Sequence, residues 1–402
     1  MKGNDVYWLW LSSLTEVSLN AKAALLDVFG SPEAAFLSAK GSFERIEGVS
    51  RRDAAFLEAR DLTAAKSIPS LCGAQNIRIV TFDDRDYPQR LKEIYAPPAV
   101  LYVRGTLPEL DAELPVAVIG TRHASDYGLK MGRNVAYELS KCGAVVVSLL
   151  TAGVDAAAAE GTLAAGGVCI GVLGTAIDAA KSSLAKRVCR DGALISEYAP
   201  GTAQMKTFFR ARNRIAAGIS LGVVVAEAPE KSGTRLFVAE ALEQGKEIFA
   251  IPGNADSETG AGTIRFLREG AQLITHGWEA AEELDLLMPG ILNTASRETY
   301  PKLALQETAG KDAEKQKTKP RQKKRLDKEK SACYIDISEA SAELSEPQQQ
   351  IVLSVISGCS SADAIMEATG LSASLVLSQL TMLEIKGFIR REAGNRIVIR
   401  EK

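Results

Sequence analysis

Only two histidines, His123 and His276, occur in 402 residues. The six cysteines (Cys72, Cys142, Cys169, Cys189, Cys333 and Cys359) are scattered, and no two have CxxC spacing. A zinc site needs clustered soft ligands, so no metal is expected. Cys142 and Cys169 sit in apolar runs, as core thiols do in a reducing compartment. No apolar run reaches membrane-spanning length, so no membrane is expected as a partner. The start, MKGNDVYWLW, lacks the basic region and cleavage site of a secretory leader, and the expected location is cytoplasmic. Excess charge is absent too: 48 Lys and Arg face 50 Asp and Glu, and the formal net charge is −2. A nucleic-acid site would therefore be a local basic patch. GxGxxG and Walker A sequences are both missing, and no acidic residue follows the second strand to hold a ribose. No Ser-His-Asp set or carboxylate pair can be placed, so no catalytic residue and no cofactor are assigned.

What is present divides the chain into four parts. Residues 1–85 read as short helices, with a segment, FERIEGVSRRDAAFLEAR, that resembles a helix-hairpin-helix. Its Ile46–Ser50 turn has Ser50 in place of a second glycine, which favours a packing role. Residues 86–289 alternate apolar strands (PVAVIG, AVVVSLL, VCIGVLG, ALISEY, LGVVVAEA, EIFAIPG, QLIT) with helices. Continuous apolar strands are expected where both sheet faces are covered. Their alternation with helices predicts a doubly wound, Rossmann-like α/β sheet. Residues 290–344 are lysine-rich and nearly free of large apolar side chains, which predicts a disordered basic linker. Residues 345–402 read as three helices and a hairpin around Ala393-Gly394-Asn395, the order of a winged helix. A chain ending near Gly290 is expected to fold alone.

The residues with chemistry to offer cluster in three loops and one strand end. After PVAVIG, Gly120 allows a sharp turn, Thr121 and the next amides can donate to a phosphate, and Arg122 supplies charge. After the second strand, Gly153 permits close backbone approach, and Asp155 is placed to cap the following alanine-rich helix. In KTFFRARNRIAAG, Lys206, Arg210, Arg212 and Arg214 crowd Phe208 and Phe209 just before a helix. Such interleaving suits a single strand, with arginines on phosphates and rings on unpaired bases. Lys231, Ser232, Gly233 and Thr234 form another small-residue anion nest opening a helix.

These segments, together with GVDAAAAEGTLAAGG, SEYAPG, ALEQGKEIFAIPG and LREGA, resemble the DNA-processing protein A (DprA, or Smf) family from about Tyr87 to Leu287. The resemblance implies an extended Rossmann fold that binds single-stranded DNA as a homodimer and loads the RecA recombinase during natural transformation. By similarity, the phosphate pocket would use Gly120, Thr121, Arg122, Gly153, Arg212, Asn213, Lys231, Ser232 and Gly233. Phe209 falls on the phenylalanine of the family pattern FPxRNR. The chain departs from the family text at Leu149, Ala152, Ala159, Arg210, Arg235 and Ile264. Two rival classes are a nucleotide-binding Rossmann enzyme and a transcription regulator whose winged helix reads duplex DNA. Against the first, AEAPEKSGT lacks a glutamate arrangement of the PGGxGT type. Against the second, SASLVLSQLTMLEIKG carries one lysine and no arginine.

Overall fold

The computed structural model describes residues 5–301, 345–356, 361–385, 389–392 and 396–399. The chain divides into two compact units, Met1–Lys317 and Thr318–Lys402. The first holds a nine-stranded sheet: β1 (Arg78–Thr81), β2 (Val100–Gly105), β3 (Pro115–Gly120), β4 (Val145–Ser148), β5 (Cys169–Leu173), β6 (Ala193–Ser196), β7 (Gly222–Glu227), β8 (Glu247–Ala250) and β9 (Gln272–Leu273). Their spatial order is β1-β2-β6-β5-β4-β3-β7-β8-β9. From β6 to β9 every pairing is parallel. Strands β1 and β2 extend the sheet antiparallel, which makes it mixed at one edge.

The alternation of side chains along β3 explains the layering. Ala117 and Ile119 enter one core, with Ile215, Ala216 and Ile219 of α10 (Lys206–Ile219) and Phe237, Val238 and Ala241 of α11 (Gly233–Glu243). Val116 and Val118 enter the opposite core, with residues of α7 (Asp126–Lys141), α8 (Val154–Ala164) and α13 (Gly277–Asp285). A strand with two buried faces favours apolar residues at successive positions, and β3, β4, β5 and β7 are apolar apart from the buried Ser148 and Glu227 that end β4 and β7.

The N-terminal helices are not separate from this sheet. Trp8, Trp10, Leu25 and Leu57 share one apolar cluster with Tyr102 of β2, Cys169 of β5 and Leu194 of β6. Ser50 caps the helix Arg51–Glu58 in a reciprocal arrangement with Asp53. Asp53 also accepts the Ser18 amide at 2.9 Å. The turn therefore ties two helices together, in the packing role its sequence favours.

After α13 the chain crosses α7. The Asn293 amide donates to the Cys142 carbonyl at 2.8 Å. Tyr300 is buried edge-on against Tyr137, with their centroids 5.4 Å apart.

The second unit has helices Glu346–Ile356, Ala362–Thr369 and Ala373–Ile385, and strands Ile389–Glu392 and Arg396–Ile399 paired antiparallel. Ile351, Ile365, Val376, Leu380, Leu383, Ile389 and Ile397 form its core. Gly370 ends the second helix at φ 67°, and its amide bonds Met366. This is the left-handed geometry that glycine tolerates at a helix end. Of the expected linker 290–344, residues 302–344 lie outside the described residues, as do the hairpin turn Ala393–Asn395 and Lys386. Among the described residues, no helix is long and apolar enough to cross a membrane.

Candidate nucleic-acid interface

Strands β4 and β7 flank β3 on opposite sides, so the winding of the sheet reverses at β3. At such a point the loops beyond the carboxyl ends of the strands diverge and leave a crevice. A cavity of about 600 Å³ opens there. Its wall includes Gly120, Thr121, Arg122, Asp155, Lys206, Phe209, Arg210, Arg212, Asn213, Lys231, Ser232, Gly233 and Thr234. The structure thus brings together all but three of the residues singled out from sequence. Phe208 and Arg214 lie elsewhere, and Gly153 stands behind the wall. It holds φ 81°, and a Cβ there would lie 2.2 Å from the Thr121 carbonyl oxygen. Gly120 is equally constrained, because a Cβ would lie 2.6 Å from Val154 and 2.7 Å from the Glu227 carbonyl oxygen. These two glycines let the first loop and the start of α8 touch.

The basic stretch differs from the sequence expectation. It is the first turns of α10 itself, not a loop before a helix. Helical spacing then separates its residues. Lys206, Phe209, Arg210 and Asn213 reach the cavity, and Arg212 reaches its floor. Phe208 and Arg214 do not. Phe208 is buried and stacked on Tyr198, centroids 3.6 Å apart. Arg214 forms a buried ion pair with Glu197 at 2.7 Å and donates to the Ala96 carbonyl at 2.9 Å.

Asp155 also departs from expectation. It lies inside α8, two residues past the Gly153 cap, and does not cap that helix. Its carboxylate accepts from the Gly120 amide at 3.3 Å and from the Thr151 hydroxyl. Burial pushes it up to about 6, against the pull of Thr151, Arg212, Gly120 and Arg122. Burial also brings the Arg212 guanidinium down to about 10, with Asp155 opposing. Arg212 donates from Nη1 to the Leu149 carbonyl at 3.2 Å, while its Nε is buried with no partner among the described residues. Asn213 Oδ1 and Ser232 Oγ are also buried without one. Buried polar groups left open around a cavity are what a polar ligand would satisfy.

The electrostatics point the same way. Five cations (Arg122, Lys206, Arg210, Arg212 and Lys231) face one carboxylate, Asp155. Among the described residues, none of Arg122, Lys206, Arg210 and Lys231 forms an ion pair. The two helices that begin at the cavity, α10 and α11, have no side-chain cap. Serines 18, 31, 50, 125, 182 and 361 cap other helix starts, while α8 and the helices Thr63–Gly73 and Ala261–Arg268 are also uncapped. An uncapped N-terminus leaves amides and partial positive charge for an anion. Phe209 organises the charge, since the guanidinium carbons of Arg122 and Arg212 each lie 5.7 Å from its ring centroid.

Several wall residues were not singled out from sequence. Thr151, Pro229, Leu236 and Thr259 line the cavity, together with Leu149, one of the departures from the family text. Glu227 lies beneath it, accepting from the Ser125 amide at 2.8 Å, the Ser125 hydroxyl at 2.6 Å and the Thr259 hydroxyl at 2.7 Å. It thereby ties the loop after β3 to the loop before α12 (Ala261–Arg268). No local pattern marks these residues, because their partners are distant in sequence. Among the described residues, no group of three His, Cys, Asp or Glu side chains is placed to hold a metal.

Comparison with known proteins agrees with this architecture. Residues 78–285 match the model of DNA recombination-mediator protein A, and residues 338–395 match the DprA winged helix domain. Protein Smf of Synechocystis is 32% identical over 338 residues, 80% of each chain. DNA processing protein DprA of Bacillus subtilis is 34% identical over 214 residues, covering 52% of this chain and 72% of that one. The X-ray structure of DNA processing protein A from Streptococcus pneumoniae superposes with a TM-score of 0.59 at 30% identity. It covers 70% of this chain and 98% of its own. With a switch-point cavity, a mixed Rossmann-like sheet and a winged helix in one chain, this protein belongs to the DprA/Smf family of DNA recombination mediators.

Proposed function

We propose that this protein binds single-stranded DNA in the switch-point cavity, independently of sequence and without catalysis, and delivers it to the RecA recombinase. The observation that carries the reading is the set of unpaired cations, Arg122, Lys206, Arg210 and Lys231, ringed around buried donors and open helix ends. Charges and amides of this kind grip phosphates, which are the same at every nucleotide. A cavity bounded by α10 and α11 suits a strand that can bend into it, and a duplex is too stiff for that. The family description as a recombination mediator supports delivery to a recombinase. A homodimer in the cytoplasm completes the proposal, by analogy with the family.

A gel-shift comparison of an unstructured oligonucleotide, a blunt duplex and a mononucleotide at one salt concentration tests the reading. The single strand should bind most tightly, and its affinity should fall steeply with salt. Equal affinity for the duplex would overturn it. A mononucleotide that bound as well as the strand would favour a nucleotide-binding enzyme.

A further inference from the structure

We infer that the cavity receives a whole nucleotide, and that Leu236 is the side chain on which its base rests. This rests on the reading of the cavity as a single-strand site and specifies which part of the strand enters.

The cavity holds more apolar surface than a phosphate can use. Ile119, Leu149, Pro229, Leu236 and Phe237 contribute to its wall beside the five cations. Ile119, Leu149 and Phe237 are buried parts of the sheet and helix core, whereas Leu236 is 53% exposed. An isolated exposed leucine is ordinary on a protein surface. This one stands inside the cavity lined by five cations, in the first turn of α11. The open amides of that helix lie within one turn of it, about 5.4 Å along the axis. A phosphate at the amides gains nothing from a leucine. A nucleotide gains twice, its phosphate on the amides and lysine, its base on the side chain.

Phe209 is the obvious alternative platform, but it has other work. Arg122 and Arg212 both approach its ring. A Cβ added to Gly174 would lie 2.9 Å from the ring carbon Cδ1, so the backbone of β5's exit packs closely against it. Phe209 is thus a positioning residue that fixes two guanidiniums for phosphates. Pro229 is half-buried, so the most open apolar surface left for a base is that of Leu236. Leucine has no hydrogen-bonding group, so the contact covers any base without reading its edge.

The full chain should be titrated with a short oligothymidylate and with its abasic counterpart, which carries the same number of phosphates. The parent protein should prefer the intact strand. Leu236→Ala should lose about 3- to 10-fold in affinity for the intact strand, the worth of part of a leucine's contact area. It should bind the abasic strand as the parent does, with an unchanged salt slope. Leu236→Phe should widen the preference. Phe209→Ala should weaken both strands alike, because it frees the guanidiniums. A parent preference that survives Leu236→Ala, or a parent that binds both strands equally, would overturn the inference. Failure of the wider reading would look different: a duplex control would then bind as tightly as the intact single strand.

Discussion

Ser125 donates twice to Glu227, from its backbone amide at 2.8 Å and from its hydroxyl at 2.6 Å. The same hydroxyl accepts from the Gly128 amide at 3.1 Å and so caps α7. One oxygen therefore joins the start of a helix to the buried carboxylate under the cavity. Ser125→Ala should cost about 1–3 kcal/mol, combining a lost cap with an under-satisfied buried carboxylate. Urea denaturation measures the loss. Strand affinity should fall as well, because the loop carrying Thr121 and Arg122 loses its anchor.

Arg212 and Arg214 are two residues apart and should behave oppositely. Arg214→Ala would leave Glu197 buried and unpaired, which costs about 3–5 kcal/mol of stability. Its folded fraction should bind DNA with the parent salt slope. Arg212→Ala should lower that slope by about one or less, the share of a single phosphate contact. Thermal melting and salt titration of both variants separate the two roles. A shared outcome would mean that the helix faces are misassigned.

Asp155 makes the cavity sensitive to pH. Burial raises it from 3.8 to about 6. A carboxyl raised in the folded state binds its proton more tightly there than in the unfolded chain. Stability therefore falls as pH climbs from 3.8 to about 6 and levels off above. Asp155→Asn lacks this dependence, so its advantage over the parent should grow across that window to about 2–3 kcal/mol. An arriving phosphate penalises the carboxylate further, so binding should take up a proton. Single-strand affinity should fall as pH rises through about 6 in the parent and less so in Asp155→Asn. His123 also lines the cavity, so both proteins should carry His123→Gln in this comparison.

The segment after α13 sets where the first unit can be cut. Leu292 and Tyr300 are each 8% exposed, and the Arg133 guanidinium lies 5.8 Å from the Tyr300 ring. A chain ended after Pro301 should fold and keep most of its single-strand affinity. One ended after Gly290 loses both side chains and should be less stable by roughly 2–5 kcal/mol, in the range of large core deletions. Comparing the melting of the two proteins checks this, and equal melting would make the crossing segment dispensable. The expectation from sequence, a chain that folds when ended near Gly290, is thus the outcome this comparison decides.

The strands of the parallel sheet were legible because burial on both faces leaves unbroken apolar runs such as PVAVIG and GVVVAE. The antiparallel edge was not, since nothing within β2 distinguishes an antiparallel neighbour from a parallel one. In the site, Gly120, Arg122 and the Lys231–Thr234 loop were legible because each shows its chemistry locally. Arg214 and Phe208 were misplaced because KTFFRARNR was read as a loop. On a helix, Lys206, Phe209, Arg210 and Asn213 share a face at three- and four-residue spacing. Glu227, Thr151 and Thr259 were illegible because each acquires its meaning from a partner on another segment.

The cavity wall comes from separated stretches of chain: the exits of β3, β4 and β7, the starts of α10 and α11, and Thr259 before α12. No fragment of the sheet possesses it, so an occupant can bind only the assembled fold. By linkage, DNA at 100 times its dissociation constant should raise the unfolding free energy by about 2.7 kcal/mol. The gain should be shared by strands far from the contact. Slower hydrogen exchange in β5 and β8 on DNA addition would then register occupancy, and a thermal-shift assay would rank oligonucleotides without a label.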